Sequence, residues 1–294
     1  MTGMELSPLH AAFGQRVDGV DLGAIARNGD GFPGIRALFE EHSALLFPAQ
    51  DISDTDHMAL ARRFGPIEDR NADERAPDEA FEVPRVTNET EGGVTGAMDL
   101  HTLNLKSNML WHADSTFMPV PALANILIGR VVTDTGGATE LASTRAAFAA
   151  MPADLQARLR GMRLSHHYAH SRARISRELA QLPMFHKWPA QTWPAIWRNP
   201  VNGAEAVYVA SHAYAVEGME AEAGQALIDE ITEFCTQPQF VYAHRWSVGD
   251  VLIWDQRAVL HRGTPWPFDQ PRTLSSLCVS VTEADGLAQM RGAA

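Results

Sequence analysis

Apolar positions in this chain fall mostly in short runs, and only a few segments carry helical spacing. The opening through Val20-Asp-Leu22 suits a short edge strand and a loop. From Phe32 to His42, Ile35, Leu38 and Phe39 recur on one face, which predicts a helix. Ala44-Leu-Leu-Phe-Pro48 is an apolar run stopped by proline and predicts a buried strand. Ser53 with Asp56 three residues on is an N-cap pattern that opens a helix through Phe64.

Residues 68–107 break this rhythm. They are acidic at first and then Gly-rich through Glu91-Gly-Gly-Val-Thr-Gly96, with no clear period. A long irregular stretch of this kind reads as a lid over a site or as a solvated surface excursion. Beyond it, Ala122 to Val132 is β-rich, and Gly136-Gly-Ala-Thr139 turns into another strand. Thr144–Met151 and Asp154–Arg160 are helical, the second begun by Pro152, within a helical insertion expected over 143–190. Pro200-Val-Asn-Gly203 predicts a hairpin turn between Ala195–Arg198 and Ala206–Ala210. Met219 to Cys235 places Ala223, Leu227, Ile231 and Phe234 on one helical face. The tail is strand: Phe240–Trp246, a turn at Ser-Val-Gly-Asp250, Val251–Trp254 and Thr273–Val281. Many short strands with helices confined to insertions predict a mainly β fold, an antiparallel two-sheet jelly roll, in one domain spanning 1–294.

Composition narrows the function classes. The 294 residues carry a formal net charge of −12, against a nucleic-acid ligand, which asks for a basic face. No apolar run approaches the ~20 residues of a membrane span, and Met1-Thr-Gly-Met-Glu-Leu lacks the pattern of a secretion signal. Cys235 and Cys278 are too few for a disulfide framework. A cytoplasmic protein is expected.

The candidate chemistry centres on Trp111-His112-Ala113-Asp114-Ser115. On an extended strand, residues two apart share a side, so His112 and Asp114 can reach one ion. With His261 they offer two imidazoles and a carboxylate, the facial set of non-haem Fe(II) oxygenases. Singly, either histidine is more simply a hydrogen-bonded or surface residue. Arg272, at the start of the last strand, offers a fork for a carboxylate, and Thr139 a hydroxyl. The same triad also suits a Zn hydrolase, which would need a general base but has no use for Arg272 and Thr139. A non-catalytic β-barrel binding protein is the other alternative.

W-H-x-D-S, then G-G-x-T with its Thr 27 residues past His112, then G-D-x-x-x-W-D-x-x-x-x-x-H-R, then Pro-Arg with Arg272 eleven past His261, resembles the taurine/2,4-dichlorophenoxyacetate dioxygenase family. Leu45-Leu-Phe-Pro-Ala-Gln50 and Arg63-Phe-Gly-Pro66 extend the likeness over nearly the whole chain. The runs Asn108–Val120, His244–Arg262 and Pro265-Trp266 are most similar to the aryloxyalkanoate (phenoxypropionate) branch. The resemblance implies a double-stranded β-helix (cupin-like) and Fe(II) with 2-oxoglutarate as co-substrate. It also implies a small-molecule substrate and O2, hydroxylation with or without C–O or C–S cleavage, and succinate and CO2 as co-products. It makes His112, Asp114 and His261 the iron ligands, and Thr139 and Arg272 the clamp on the distal carboxylate. Asn108, His167, His212 and Ser276 are expected at the substrate, Trp111 and Trp254 in packing, and Arg262 in a structural ion pair. A homo-oligomer free of nucleic acid and membrane is expected.

One departure bears on the substrate. Relatives carry a second arginine four or six residues after the one matching Arg272, where this chain has Ser276 and Cys278. Arg272, Leu274, Ser276 and Cys278 share one face of a strand, and none but Arg272 is charged. The substrate is therefore expected to be neutral or weakly polar, or else an acid held from elsewhere by His166, His167, His212 or Arg172. The basic segment Arg160 to Lys187 reads either as a solvated basic face or as a run of which part lines the site entrance and draws in anions.

Overall fold

The computed structural model describes residues 3–96 and 99–292. Ala97 and Met98 of the 68–107 stretch, and Met1, Thr2, Ala293 and Ala294 of the 1–294 reading, lie outside the described residues. Two sheets organise the chain. The larger contains β1 (Glu5–Pro8), β2 (Gln15–Asp18), β3 (Ala44–Phe47), β4 (Arg85–Thr87), β5 (Ala122–Val131), β8 (Val251–Asp255) and β10 (Thr273–Ser280). Their order is β1-β2-β3-β8-β5-β10-β4, antiparallel except where β2 meets β3. The smaller contains β6 (Thr139–Ser143), β7 (Val241–His244) and β9 (Val259–Gly263), ordered β7-β6-β9.

Register decides what each face carries. Trp254 and Cys278 sit opposite Asn125, and Leu252 and Ser276 sit opposite Leu127, so these side chains share one face of the large sheet. On that face Leu127, Leu252, Trp254 and Leu274 pack with Leu141 and Val259 of the small sheet. The alternate residues Ile126, Ile128, Ile253, Leu277 and Val279 point the other way and pack under helices. From Ala122 to Gly129 β5 is therefore almost wholly apolar, because both its faces are buried there. Asn125 is the exception in its run.

The helices are α1 (Leu22–Asn28), α2 (Phe32–His42), α3 (Asp54–Phe64), α4 (Leu100–Ser107), α5 (Thr144–Ala150), α6 (Ala153–Arg160), α7 (Tyr168–Ala173), α8 (Arg177–Ala180), α9 (Ala221–Cys235) and α10 (Leu287–Arg291), among the described residues. α3 starts at Ser53, whose side chain accepts from the Asp56 N–H, as its sequence predicts. α1 was not expected; Asp21 caps its start, and Gly29 at φ 85° closes it. The hairpin at 195–210 forms with Ile196 opposite Val207.

Two expectations need correction. Residues 68–107 are not irregular throughout. They contain β4, which extends the large sheet beside β10, a small hairpin (Glu89–Thr90 with Gly93–Val94) and α4. Three residues of strand and two turns of helix are too short to leave a period in sequence. The 143–190 stretch is likewise not all helix, since Arg163–His166 is the middle strand of a separate three-stranded sheet. Among the described residues, no helix is long and apolar enough to cross a membrane.

His57 of α3 is fully buried and bonds the Ile126 carbonyl at 2.9 Å. Burial brings its imidazole from an ordinary value of 6.5 down to about 3. The unfolded chain thus binds this proton at a higher pH than the fold does. Stability contributed by the neutral ring is complete above about pH 6.5 and is lost as the pH falls toward 3, by about 1.4 kcal/mol per pH unit for each such proton. His166 behaves in the same way. The melting temperature should fall steeply below pH 6.5, and His57→Gln should make that fall shallower. An unchanged pH slope in the variant would contradict this account.

Candidate active site

His112 does not lie in a regular strand. Its N–H donates to the His261 carbonyl at 3.0 Å, and the His261 N–H returns a bond at 2.8 Å, forming a single bridge against β9. The strand expected for Trp111–Ser115 ends there. The next donor, the Asp114 N–H, goes to the Gln256 side chain, and Ser115 turns the chain at φ 59°. The same-side placement of His112 and Asp114 nevertheless holds. His112 Nε2 lies 3.8 Å from Asp114 Oδ1, and His261 Nε2 lies 3.6 Å from Asp114 Oδ2. One potential ligand atom from each of the three falls within 4.8 Å of the others.

The surroundings set the protonation. His112 Nδ1 donates to the Leu110 carbonyl at 2.7 Å, which leaves the Nε2 lone pair on the Asp114 side. Burial lowers the His112 imidazole and brings that of His261 down to about 3, so both are neutral near pH 7. Burial alone would raise the Asp114 carboxyl. His261, His112, Arg70 and the Asn125 amide overcome that and hold it well below the usual carboxylate range. Asp114 Oδ2 accepts from Asn125 Nδ2 at 2.9 Å, from Gln256 Nε2 at 2.5 Å and from Cys278 Sγ at 3.5 Å. Two neutral nitrogens and one fixed carboxylate are a metal-ligand set in waiting.

Gln256 holds Asp114 twice, through the carboxylate and through the backbone N–H at 2.9 Å. Neither Gln256 nor Asn125 was singled out from sequence, although a lone amide in the apolar run of β5 was a readable signal. Removing such outer hydrogen bonds costs about 10- to 100-fold in metal affinity. Gln256→Met should weaken Mn(II) binding by that amount in an equilibrium titration. Unaltered binding would show that Asp114 needs no such support.

The same cavity holds Thr139 and Arg272, along with Asn108 and Ser276. Arg272 is 5% exposed; its Nε and Nη2 donate to the Gly137 carbonyl at 3.2 and 2.9 Å, and its guanidinium lies 4.8 Å from the Trp266 ring centre. No described carboxylate pairs with it. Burial pulls it down to about 10, still protonated at neutral pH. The Gly136-Gly137 pair has φ of 71° and 64°, and a Cβ on Gly137 would sit 3.0 Å from Arg272 Nε. Glycine is needed there for both reasons. Thr139 Oγ1 accepts from Trp246 Nε1 at 3.0 Å, so its own hydroxyl proton is free to donate.

The remaining predicted residues separate. Ser276 Oγ donates to Asn125 Oδ1 at 3.1 Å and so supports Asp114 indirectly. His212 is buried outside the cavity lining, its ring edge-on to His112 at 6.3 Å and to Phe117 at 4.8 Å. His167 is not brought to the site; it caps α7 and borders a separate surface groove with His170 and His186. His166 is buried beside Tyr208. Trp254 packs on His261, and Arg262 pairs with Glu140 at 2.7 Å above Trp111. In the Arg160–Lys187 segment four of the basic side chains have acid partners. Arg160 pairs with Glu205, Arg163 with Glu217, Arg174 with Asp229, and Lys187 with Asp73 and Glu74.

Known proteins share this arrangement of chain. The (S)-phenoxypropionate/alpha-ketoglutarate-dioxygenase of Sphingobium herbicidovorans is 33% identical over 279 residues, covering 92% of each chain. The alpha-ketoglutarate-dependent 2,4-dichlorophenoxyacetate dioxygenase of Cupriavidus pinatubonensis is 34% identical over 272 residues, covering 91% of this chain and 94% of that one. Among solved structures, that of AAD-2 in complex with Mn(II) and N-oxalylglycine superposes with a TM-score of 0.85 at 28% identity, covering 96% of this chain and 99% of that one. The family resemblance carried by the W-H-x-D-S, G-G-x-T and Pro-Arg segments is borne out. Residues 5–278 match the family described as taurine catabolism dioxygenase TauD, TfdA family, and the chain belongs to it.

Proposed function

We propose that this family member is an Fe(II)- and 2-oxoglutarate-dependent dioxygenase that hydroxylates a small organic substrate, in which His112, Asp114 and His261 hold the metal. The observation that carries the reading is a cavity with two separate features. One wall has two neutral imidazoles and a carboxylate; another has a buried arginine with no acid partner among the described residues. A zinc hydrolase has no use for that arginine. A dicarboxylate that chelates the metal at one end and meets Arg272 at the other uses both. The Mn(II) and N-oxalylglycine named in the related structure support this pairing.

The donor set fits the metal. Bound ferrous iron supplies dioxygen activation, coupled to decarboxylation of 2-oxoglutarate to succinate and CO2 and transfer of one oxygen atom to a substrate C–H bond. The protein's part is placement. Leu110, Asn125 and Gln256 orient His112 and Asp114, and Arg272 with the Thr139 hydroxyl receives the distal carboxylate. Leu127, Trp254, Trp266 and Leu274 keep water from that end of the cavity. We read the two sheets as the halves of a double-stranded β-helix in one domain, with 68–107 as a lid, and the active form as a homo-oligomer. Where the hydroxylated carbon bears an ether oxygen or sulfonate, the product collapses and the C–O or C–S bond breaks.

The test is succinate formation from 2-oxoglutarate with Fe(II) and O2, stimulated by a member of a panel of carboxylates, sulfonates and neutral ethers. Zn(II)-dependent hydrolysis without 2-oxoglutarate consumption would overturn the reading.

A further inference from the structure

Arg272 is not the only buried cation without an acid. Arg172, on α7, is 6% exposed and, among the described residues, bonds only neutral groups. Its Nη1 donates to Ser171 Oγ at 2.9 Å, and its Nη2 to Asn104 Oδ1 and the Tyr168 hydroxyl, both at 3.3 Å. Its Nε has no partner among the described residues. Buried Arg257, by contrast, is neutralised by Asp255 and Glu40. A guanidinium taken out of water without a counter-charge is unfavourable until an anion joins it.

Its position relates it to the metal side of the site. Asn104 and Asn108 are one turn apart along α4 and its C-cap, and Asn108 lines the cavity with His112. The Arg172 guanidinium lies 4.3 Å from the Tyr168 ring centre. Tyr168 stands 5.8 Å from His212, which stands 6.3 Å from His112. On the opposite wall, Ser276 and Cys278 are already committed to Asn125 and Asp114.

We propose that Arg172 is the cation that receives the acid group of the prime substrate, so that the substrate is a carboxylate or sulfonate rather than a neutral molecule. A planar acid accepts parallel charge-assisted bonds from the guanidinium edge that carries the unpartnered Nε. Of the alternatives open in the sequence, an acid held from elsewhere is thus the one selected. The inference rests on the dioxygenase reading.

The test uses 2-phenoxypropionate, its primary amide and an alkanesulfonate as probes. Their binding is measured by calorimetry on wild type, Arg172→Gln and Arg172→Lys, with and without Mn(II) and 2-oxoglutarate. Wild type should bind at least one acid about 10-fold or more tightly than the amide. Arg172→Gln should lose about 30-fold or more for that acid and change little for the amide, with Arg172→Lys between. Amide binding reports that the variant is folded. No acid preference in wild type, or equal losses for acid and amide, overturns the proposal. Loss of the Arg172 effect with 2-oxoglutarate turnover intact sinks this inference alone. An Arg172-dependent acid preference in a protein that never consumes 2-oxoglutarate sinks the dioxygenase reading instead.

Discussion

Asp114→Ala is expected to abolish Fe(II)-dependent consumption of 2-oxoglutarate while leaving the fold in place. Asp114 is the only anion of the triad, and its neighbours hold it ionised against the cost of its burial. Without it the ion meets two neutral imidazoles. The change also strands the Asn125 and Gln256 amides, at about 1–3 kcal/mol for each buried donor left unpaired. The sheets should withstand that loss, because the contacts between them are made by Leu127, Leu141, Leu252 and their neighbours. His112→Ala and His261→Ala should behave alike. The variants are to be compared by circular dichroism and succinate release. Near wild-type hydroxylation by Asp114→Ala would remove the triad from the mechanism.

Arg272→Ala should raise the 2-oxoglutarate requirement by orders of magnitude. Truncating one partner of a buried charge pair costs about 2–5 kcal/mol, and each 1.4 kcal/mol is about tenfold. The half-saturating concentration should therefore rise from about thirtyfold to a few thousandfold. Arg272→Lys should recover only part of the loss, since an ammonium lacks the fork. Unchanged affinity for 2-oxoglutarate in Arg272→Ala would place the co-substrate elsewhere.

Much of this arrangement was legible in the sequence because it rests on local rules. The alternation along 272–278 places Arg272, Leu274 and Ser276 on the cavity, and the H-x-D spacing puts both side chains on one side even though no strand forms there. What was hidden depends on distant pairing. Gln256 reaches Asp114 across 142 residues, and Arg257, beside it, joins Asp255 and Glu40 in the interior. The acid partners of Arg160, Arg163 and Arg174 were hidden for the same reason, since Glu205, Glu217 and Asp229 lie far along the chain. Arg70 sits in an acidic stretch that reads as solvated surface, yet it donates to Ser115 and lies over Phe117. β4 and α4 escaped because they are too short to carry a period.

The central claim is that one ion is held by His112, Asp114 and His261 and is chelated by a 2-oxoglutarate whose far end meets Arg272. Anaerobic titration of the metal-free protein with Fe(II) and 2-oxoglutarate tests it most directly. The account predicts one of each bound per chain. It also predicts a visible charge-transfer band that needs both together, is absent from Asp114→Ala, and in Arg272→Ala appears only at much higher 2-oxoglutarate. A band of full strength in Asp114→Ala, or 2-oxoglutarate bound as tightly without metal as with it, would contradict the account.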